Sequence, residues 1–165
     1  MDGDRVGWFS VSHGSEMLFK IASEYHGLKA GIATEPAASD YVARLPNTPS
    51  YLEGPDEETM GYTNTPEMQA EAVLDLRDRV HMALAKHRVD QITMPIFVVG
   101  RDRDHNQSTF RLTYELMEEA GKQAQWRSYD HDFHGFAFLK RNENGDYETD
   151  SIQEAFLADA ISYFE

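Results

Sequence analysis

Short runs of consecutive apolar residues alternate with segments in which apolar residues recur at helical spacing. The apolar runs, which are typical of strands buried on both faces, occupy residues 5–11, 28–34, 92–99 and 123–129. Helical spacing occupies residues 15–25, 66–86, 108–120 and 151–164. This alternation predicts an α/β domain with about four parallel strands and with helices on both faces of the sheet.

Residues 35–65 interrupt this alternation. The segment contains Pro36, Pro46, Pro49 and Pro55 together with several Gly, Asp and Asn residues. We expect a loop-rich excursion from the sheet, which is a candidate lid or substrate-facing segment, although a surface insertion without a role in function fits the same composition. A helix over residues 66–86 follows, and a charged loop over residues 141–149 precedes the last helix.

The composition of the chain excludes several classes of protein. The 165 residues, 41% of them hydrophobic, suffice for a single domain over residues 1–165. The absence of cysteine excludes disulfides and thiolate chemistry. A net charge of −14 disfavours nucleic acid and anionic membranes as partners, and no apolar run approaches the ~20 residues of a membrane span. Because no secretion signal opens the chain, we expect a cytoplasmic protein.

Side chains that can do chemistry follow three of the four predicted strands. Ser12 follows the first strand, Asp102 and Asp104 follow the third, and His131 and His134 follow the fourth. The carboxyl ends of parallel strands meet at one edge of a sheet, where active sites gather. The sequence therefore predicts that a hydroxyl, a carboxylate and an imidazole lie close together at this edge.

Ser12 lies on a predicted turn between a strand and a helix, with small residues on both sides. The segment reads Ser10-Val11-Ser12-His13-Gly14, so that Ser10 stands where the first glycine of the G-x-S-x-G nucleophile elbow is usual. Such a turn needs small neighbours because the strand and helix backbones approach closely, and it presents the serine hydroxyl to solvent.

A serine, a histidine and a carboxylate together can perform nucleophilic catalysis. The hydroxyl is a weak nucleophile until a base removes its proton, and histidine suits that role because its pKa lies near neutrality. A carboxylate fixes the imidazole tautomer and stabilises the imidazolium. The chain order Ser, Asp, His is the order that accompanies a nucleophile elbow.

The sequence resembles the C-terminal part of an alpha/beta-hydrolase, closest to the dienelactone hydrolase and prolyl oligopeptidase-like branch. The resemblance lies in SVSHGSEM, LKAGIATEPA, MPIFVVGRDRDHNQS and YDHDFHGF. It implies an acyl-enzyme mechanism on esters or amides, with Ser12 as the nucleophile. It implies His134 as the base, because Gly135 and Phe136 follow it, and leaves His131 as a solvated loop residue.

The resemblance also assigns the supporting groups. Asp104 is preferred as the acid of the triad, with Asp102 as the alternative. The backbone N–H of His13 is expected to form one half of the oxyanion hole. No cofactor and no metal are implied, and the substrate is expected to be a small ester or a peptide.

The chain departs from the family in what precedes the serine. Several strands of the family's fold, and the loop that supplies the second oxyanion donor, have no counterpart here. Residues 5–11 would then form an apolar edge strand that pairs with another chain, either in a homo-oligomer or with a separate N-terminal half. We expect the isolated chain to be dimeric or poorly soluble, and weakly active or inactive.

Three other functions fit some of these features. The chain could be the end of a prolyl oligopeptidase-type peptidase domain, which shares the triad. It could bind a metal through His131 and His134 with Asp102 or Asp104, although the spacing is a weak signal. It could also be a non-catalytic fragment that keeps the fold without half of the oxyanion hole.

Overall fold

Four parallel strands form the central sheet of the protein. The computed structural model describes residues 4–36, 66–78, 80–102, 104, 106–138 and 140–165. The strands are β1 (Gly7–Val11), β2 (Ala30–Thr34), β3 (Ile96–Arg101) and β4 (Ala124–Tyr129). They lie in the order β1-β2-β3-β4 with every pair parallel, so the α/β class and the four parallel strands expected from the sequence are confirmed.

Five helices are present within the described ranges. They are α1 (His13–Glu24), α2 (Pro66–Asp78), α3 (Met82–Asp90), α4 (Gln107–Glu119) and α5 (Ser151–Phe164). None of the helices in the described part of the chain is both long and apolar enough to cross a bilayer. The excursion predicted for residues 35–65 lies, from residue 37 onward, outside the described residues.

The core has two halves, one on each face of the sheet. Alternate residues of β3 point to opposite faces, and all six residues of this strand are buried. Ile96 and Val98 pack with residues of α1, α2, α3 and α4. Phe97 and Val99 pack on the other face against Phe156 of α5 and the segment after β4. Helices therefore cover both faces, which explains why the strands read as continuous apolar runs rather than as alternating patterns.

The structure corrects the helix predicted over residues 66–86. That segment forms two helices, α2 and α3, that are separated at Val80 and His81. The imidazole of His81 accepts a hydrogen bond from the backbone N–H of Leu84 and so caps a new helix. The apolar stripe continues across the break because both helices pack on the same half of the core. Periodicity alone therefore could not reveal the interruption.

Two further boundaries differ from the sequence expectation. The third strand begins at Ile96 and not at residue 92, directly after Pro95, whose nitrogen cannot donate to the ladder. The charged loop predicted over residues 141–149 contains a short antiparallel hairpin of β5 (Lys140–Arg141) and β6 (Tyr147–Glu148). The charged and polar sequence of this segment lacks the apolar pattern from which strands are predicted.

Candidate active site

Ser12 lies between the carboxyl end of β1 and the first turn of α1. Its backbone has φ 52° and ψ −122°, a left-handed conformation that is costly for any residue with a side chain. The N–H of Ser12 donates to the carbonyl of Thr34 at 2.9 Å, and its carbonyl accepts from the N–H of Ser15 at 2.8 Å. The neighbouring strand and the helix thus hold the serine in this conformation from both sides.

A buried polar network supports the turn beneath Ser12. The Ser15 hydroxyl donates to the Thr34 carbonyl at 2.8 Å and lies 3.3 Å from the Ser10 hydroxyl, which in turn donates to the Ile32 carbonyl. A Cβ atom at Gly14 would lie 3.3 Å from the Cβ of Ser10. The turn is therefore tight on this side, and Ser10 fits where glycine is usual because its hydroxyl has partners.

Replacing Ser12 with glycine is expected to stabilise the protein by about 1 kcal/mol. Relief of a strained backbone is worth ~1–3 kcal/mol, and the greater entropy of an unfolded glycine takes back ~0.5–1 kcal/mol. Ser12→Ala is the matched control because alanine keeps the Cβ atom and hence the strain. Urea denaturation measures both variants, and a glycine variant no more stable than the alanine variant would contradict the strain.

The Asp104 carboxylate is fully buried after the end of β3. Its Oδ1 accepts from the backbone N–H of Asn106 at 2.8 Å, and its Oδ2 accepts from Nη2 of Arg101 at 2.7 Å. The same Oδ2 lies 3.2 Å from Nδ1 of His134. Burial raises the pKa of Asp104, but the hydrogen bonds from His134 and Asn106 and the charge of Arg101 outweigh it and lower this pKa to about 2. Asp104 is therefore a carboxylate at neutral pH.

His134 lies on the loop after β4 and presents Nδ1 to Asp104. This contact leaves Nε2 as the ring nitrogen that can accept a proton. The hydrogen bond that Nδ1 donates to Asp104 raises the pKa of His134, burial opposes the increase, and the charges of Glu35 and Asp104 add to it. Gly135 follows with φ 80°, a conformation that suits glycine, and this turns the chain so that Phe136 enters the core.

Two charged residues that the sequence analysis did not single out complete the site. Glu35 directly follows β2 and is 1% exposed, with its Oε2 accepting from the backbone N–H of Gly135 at 2.7 Å. Its Oε1 lies 3.2 Å from Nε of Arg101 and 3.4 Å from Nδ1 of His134. Arg101 thus contacts both buried carboxylates. Glu35 follows the second strand just as Ser12, Asp104 and His134 follow the other three, and this position is the signal in the sequence that points to it.

The structure of the chain, and not its sequence, relates it to known proteins. Its sequence matches no protein-family model and no curated protein. Its structure matches a Pyrococcus furiosus esterase with a TM-score of 0.54 and 16% identity, covering 97% of this chain and 52% of the esterase. It matches Porphyromonas gingivalis dipeptidyl peptidase 4 with a TM-score of 0.56 and 16% identity, covering 99% of this chain and 20% of that protein.

A protein from Klebsiella pneumoniae described as a dienelactone hydrolase matches in the same way. The TM-score is 0.54 at 13% identity, and the alignment covers 99% of this chain and 52% of that protein. The chain has part of the alpha/beta-hydrolase fold. It spans between about a fifth and about half of the length of these three proteins. At identities this low, the matches show similarity of fold alone. At the level of the fold, they confirm the resemblance of the sequence to alpha/beta-hydrolases.

The hydrolase fold brings the residues expected from the sequence to one edge of the sheet. Ser12, Asp104 and His134 follow β1, β3 and β4, and Asp104 contacts His134. For Asp102, the alternative acid, the structure gives hydrogen bonds of the backbone: its N–H donates to the Tyr129 carbonyl, and its carbonyl accepts from the side-chain amide of Gln69. His13 is the first residue of α1, where backbone N–H groups have no partner within the helix. Its side chain is 82% exposed.

His131 is not the solvated loop residue that was expected. Its side chain is only 13% exposed, and its Nε2 lies 2.9 Å from Oδ2 of Asp150, the residue that caps α5. Its ring stacks on Phe136 with the two centroids 5.1 Å apart. The imidazole of His131 therefore joins the loop after β4 to the last helix, a structural role that a sequence pattern does not reveal.

A metal site at this edge does not fit the charges present. In the described part of the chain, Glu35, Asp104 and His134 are the group whose ligand atoms come close enough to share an ion, within 4.8 Å of one another. The guanidinium of Arg101 already contacts both carboxylates and would repel a cation. His131, which the metal hypothesis requires, pairs with Asp150 instead.

Proposed function

We propose that this protein is a serine hydrolase that cleaves carboxylic esters or amides through an acyl-enzyme intermediate. The observation that carries the proposal is the contact of 3.2 Å between a buried, ionised Asp104 and Nδ1 of His134. This pair lies at the same sheet edge as a serine whose backbone is held in a strained conformation. Strain of this kind persists where the surrounding structure imposes it, and it clusters at active sites.

Each residue has a distinct role in the proposed reaction. The Ser12 oxygen bonds to the substrate carbonyl carbon while Nε2 of His134 takes the hydroxyl proton. His134 then passes this proton to the departing alcohol or amine, and a water molecule releases the acyl group by the same route. Asp104 holds the ring and stabilises its positive charge. The N–H of His13 donates to the developing oxyanion.

The fold comparisons support both esters and amides as substrates. The esterase and the dipeptidyl peptidase are equally distant from this chain in sequence, at 16% identity each. Because both reactions pass through an acyl-enzyme, the proposal includes both, and a peptidase is retained as the second form of the same function.

Labelling with a fluorophosphonate probe tests the proposal directly. The probe reacts with a serine only when a base activates its hydroxyl. We expect mass spectrometry to find the adduct on Ser12, and we expect both Ser12→Ala and His134→Ala to abolish it. Ser23→Ala is the control and should keep the label, because Ser23 lies further along α1 and its hydroxyl donates to the Lys20 carbonyl, outside the network that supports the turn. Labelling that survives both Ser12→Ala and His134→Ala would refute the proposal.

A further inference from the structure

We propose that Glu35 is a positioning residue that acts with Asp104 as a second carboxylate for His134. This inference rests on the proposed function, because it concerns the base of the same site. Glu35 would act in two ways: through its charge next to Nδ1 of His134, and through its hydrogen bond to the loop that carries this histidine. Asp104 would then be only one of two carboxylates that act on His134 in this protein.

The geometry places Glu35 on both the ring and the backbone of the histidine loop. Its Oε2 accepts from the N–H of Gly135, the residue after His134, at 2.7 Å. Its Oε1 lies 3.4 Å from Nδ1 of His134, close to the 3.2 Å of Asp104. The side chain of Glu35 thus contacts the backbone of the residue after His134 and also Nδ1 of the His134 ring. This is the ring nitrogen that does not accept the proton from Ser12.

The second oxygen of Glu35 is available for this task. Oε1 is buried, and within the described residues it accepts no hydrogen bond of good geometry. It faces Nε of Arg101 and Nδ1 of His134. A buried acceptor without a hydrogen bond is costly to keep, so an arrangement of this kind calls for a reason. A small rotation of the imidazole towards Glu35 would let the N–H at Nδ1 be shared between Asp104 and Glu35.

The charges around His134 favour this role. Asp104 and Glu35 face the ring from the ends of β3 and β2, and Arg101 lies between them as the opposing cation. Burial, together with the charge of Asp104, raises the pKa of Glu35 above its ordinary value, and the charges of His134 and Arg101 and the N–H of Gly135 oppose this increase without cancelling it. A proton on His134 therefore stabilises the ionised form of Glu35, and an ionised Glu35 stabilises the imidazolium.

The sharpest test compares the pH dependence of kcat/KM for ester hydrolysis in Glu35→Gln and Glu35→Asp. Glutamine keeps an acceptor for Gly135 but removes the charge, so the pKa of His134 falls and the acidic limb moves to lower pH. Aspartate keeps the charge, so the limb stays near its wild-type position although the bond to Gly135 is lost. We expect Glu35→Gln to lose on the order of tenfold in kcat/KM at its optimum.

A second comparison uses Asp104. Where one carboxylate acts alone, its removal costs on the order of 10⁴-fold in rate. With Glu35 in place, we expect Asp104→Ala to lose only about 10²-fold, and adding Glu35→Gln to lose about 10²-fold more. Glu115→Gln is the matched control, because Glu115 is a carboxylate paired with Arg77 and Arg111. We expect it to leave the profile unchanged.

An acidic limb that does not move in Glu35→Gln would overturn the inference, since a purely structural role alters rate or stability without moving that limb. If the Asp104 variants do not fold, the Glu35 variants decide alone. An NMR titration of the His134 ring in wild type and Glu35→Gln gives the same answer without turnover. A pKa of His134 that falls in Glu35→Gln supports the inference even if labelling of Ser12 fails, so the two proposals can fail separately.

Discussion

Ester turnover is expected to fall to the uncatalysed rate in Ser12→Ala, a loss of up to about 10⁶-fold, and to the same level in His134→Ala. The two losses should not add, because in the proposed mechanism the hydroxyl and the imidazole act as one unit, and the nucleophile does not form without either of them. The double variant should therefore be no slower than either single variant. Initial rates with p-nitrophenyl acetate, followed by absorbance, measure all three.

His131→Gln is the control for this experiment. His131 lies on the same loop as His134, but its imidazole pairs with Asp150 and stacks on Phe136. The His131→Gln variant should retain turnover, provided that circular dichroism shows it to be folded. A loss in His131→Gln that equals the loss in His134→Ala would contradict the assignment of the base, and losses that add in the double variant would contradict the shared role.

Arg101→Met is expected to destabilise the protein by about 3–5 kcal/mol, the largest effect on stability that we predict. Arg101 is 8% exposed and contacts the carboxylates of Glu35 and Asp104, both fully buried. It also donates to the carbonyls of His131 and Asp132 at 3.2 and 3.0 Å. Methionine fills a similar volume but leaves two buried negative charges without this cation and two carbonyls without their donor.

The direction in which the stability loss of Arg101→Met changes with pH shows whether the buried carboxylates cause it. In the wild type, the pKa of Asp104 is lowered to about 2, so its contribution to stability is present above the ordinary pKa of Asp and is lost as pH falls towards 2. Removing Arg101 raises the carboxyl pKa values in the folded state. The folded variant then binds protons more readily, so the stability gap to wild type should narrow as pH falls.

Arg127→Met provides the comparison for Arg101→Met. Arg127 lies on the neighbouring strand β4 and forms an ion pair with Asp159 of α5, but the side chain of Arg127 is 54% exposed. A pair in solvent is worth ~0–1 kcal/mol, so the loss should be small and should shrink further in salt. Urea denaturation at several pH values measures both variants. Equal losses for Arg101→Met and Arg127→Met would contradict the view that the buried cluster depends on Arg101.

Some features of this protein follow from sequence because they depend on local rules. The apolar run over β3 is buried on both faces, which makes it readable as a strand without knowledge of its neighbours. The last helix, Ser151–Phe164, has the bounds expected from its stripe of apolar residues, and Asp150 provides a capping box at its start. By contrast, the break between α2 and α3 depends on the cap at His81, which does not change the apolar pattern.

The sequence by itself determined the α/β class, the parallel sheet and the edge at which Ser12, Asp104 and His134 gather. These features follow from the periodicity of the apolar residues and from the alternation of strands and helices along the chain, which are both visible in the sequence. Only the tertiary structure decided which groups meet there. Glu35 and Gly135 are a hundred residues apart, and their hydrogen bond exists only because β2 and β4 end at the same edge. Arg101 shows both kinds of contact: Asp104 lies three residues further along the chain, whereas the contact with Glu35 exists only because β2 and β3 are neighbours in the sheet.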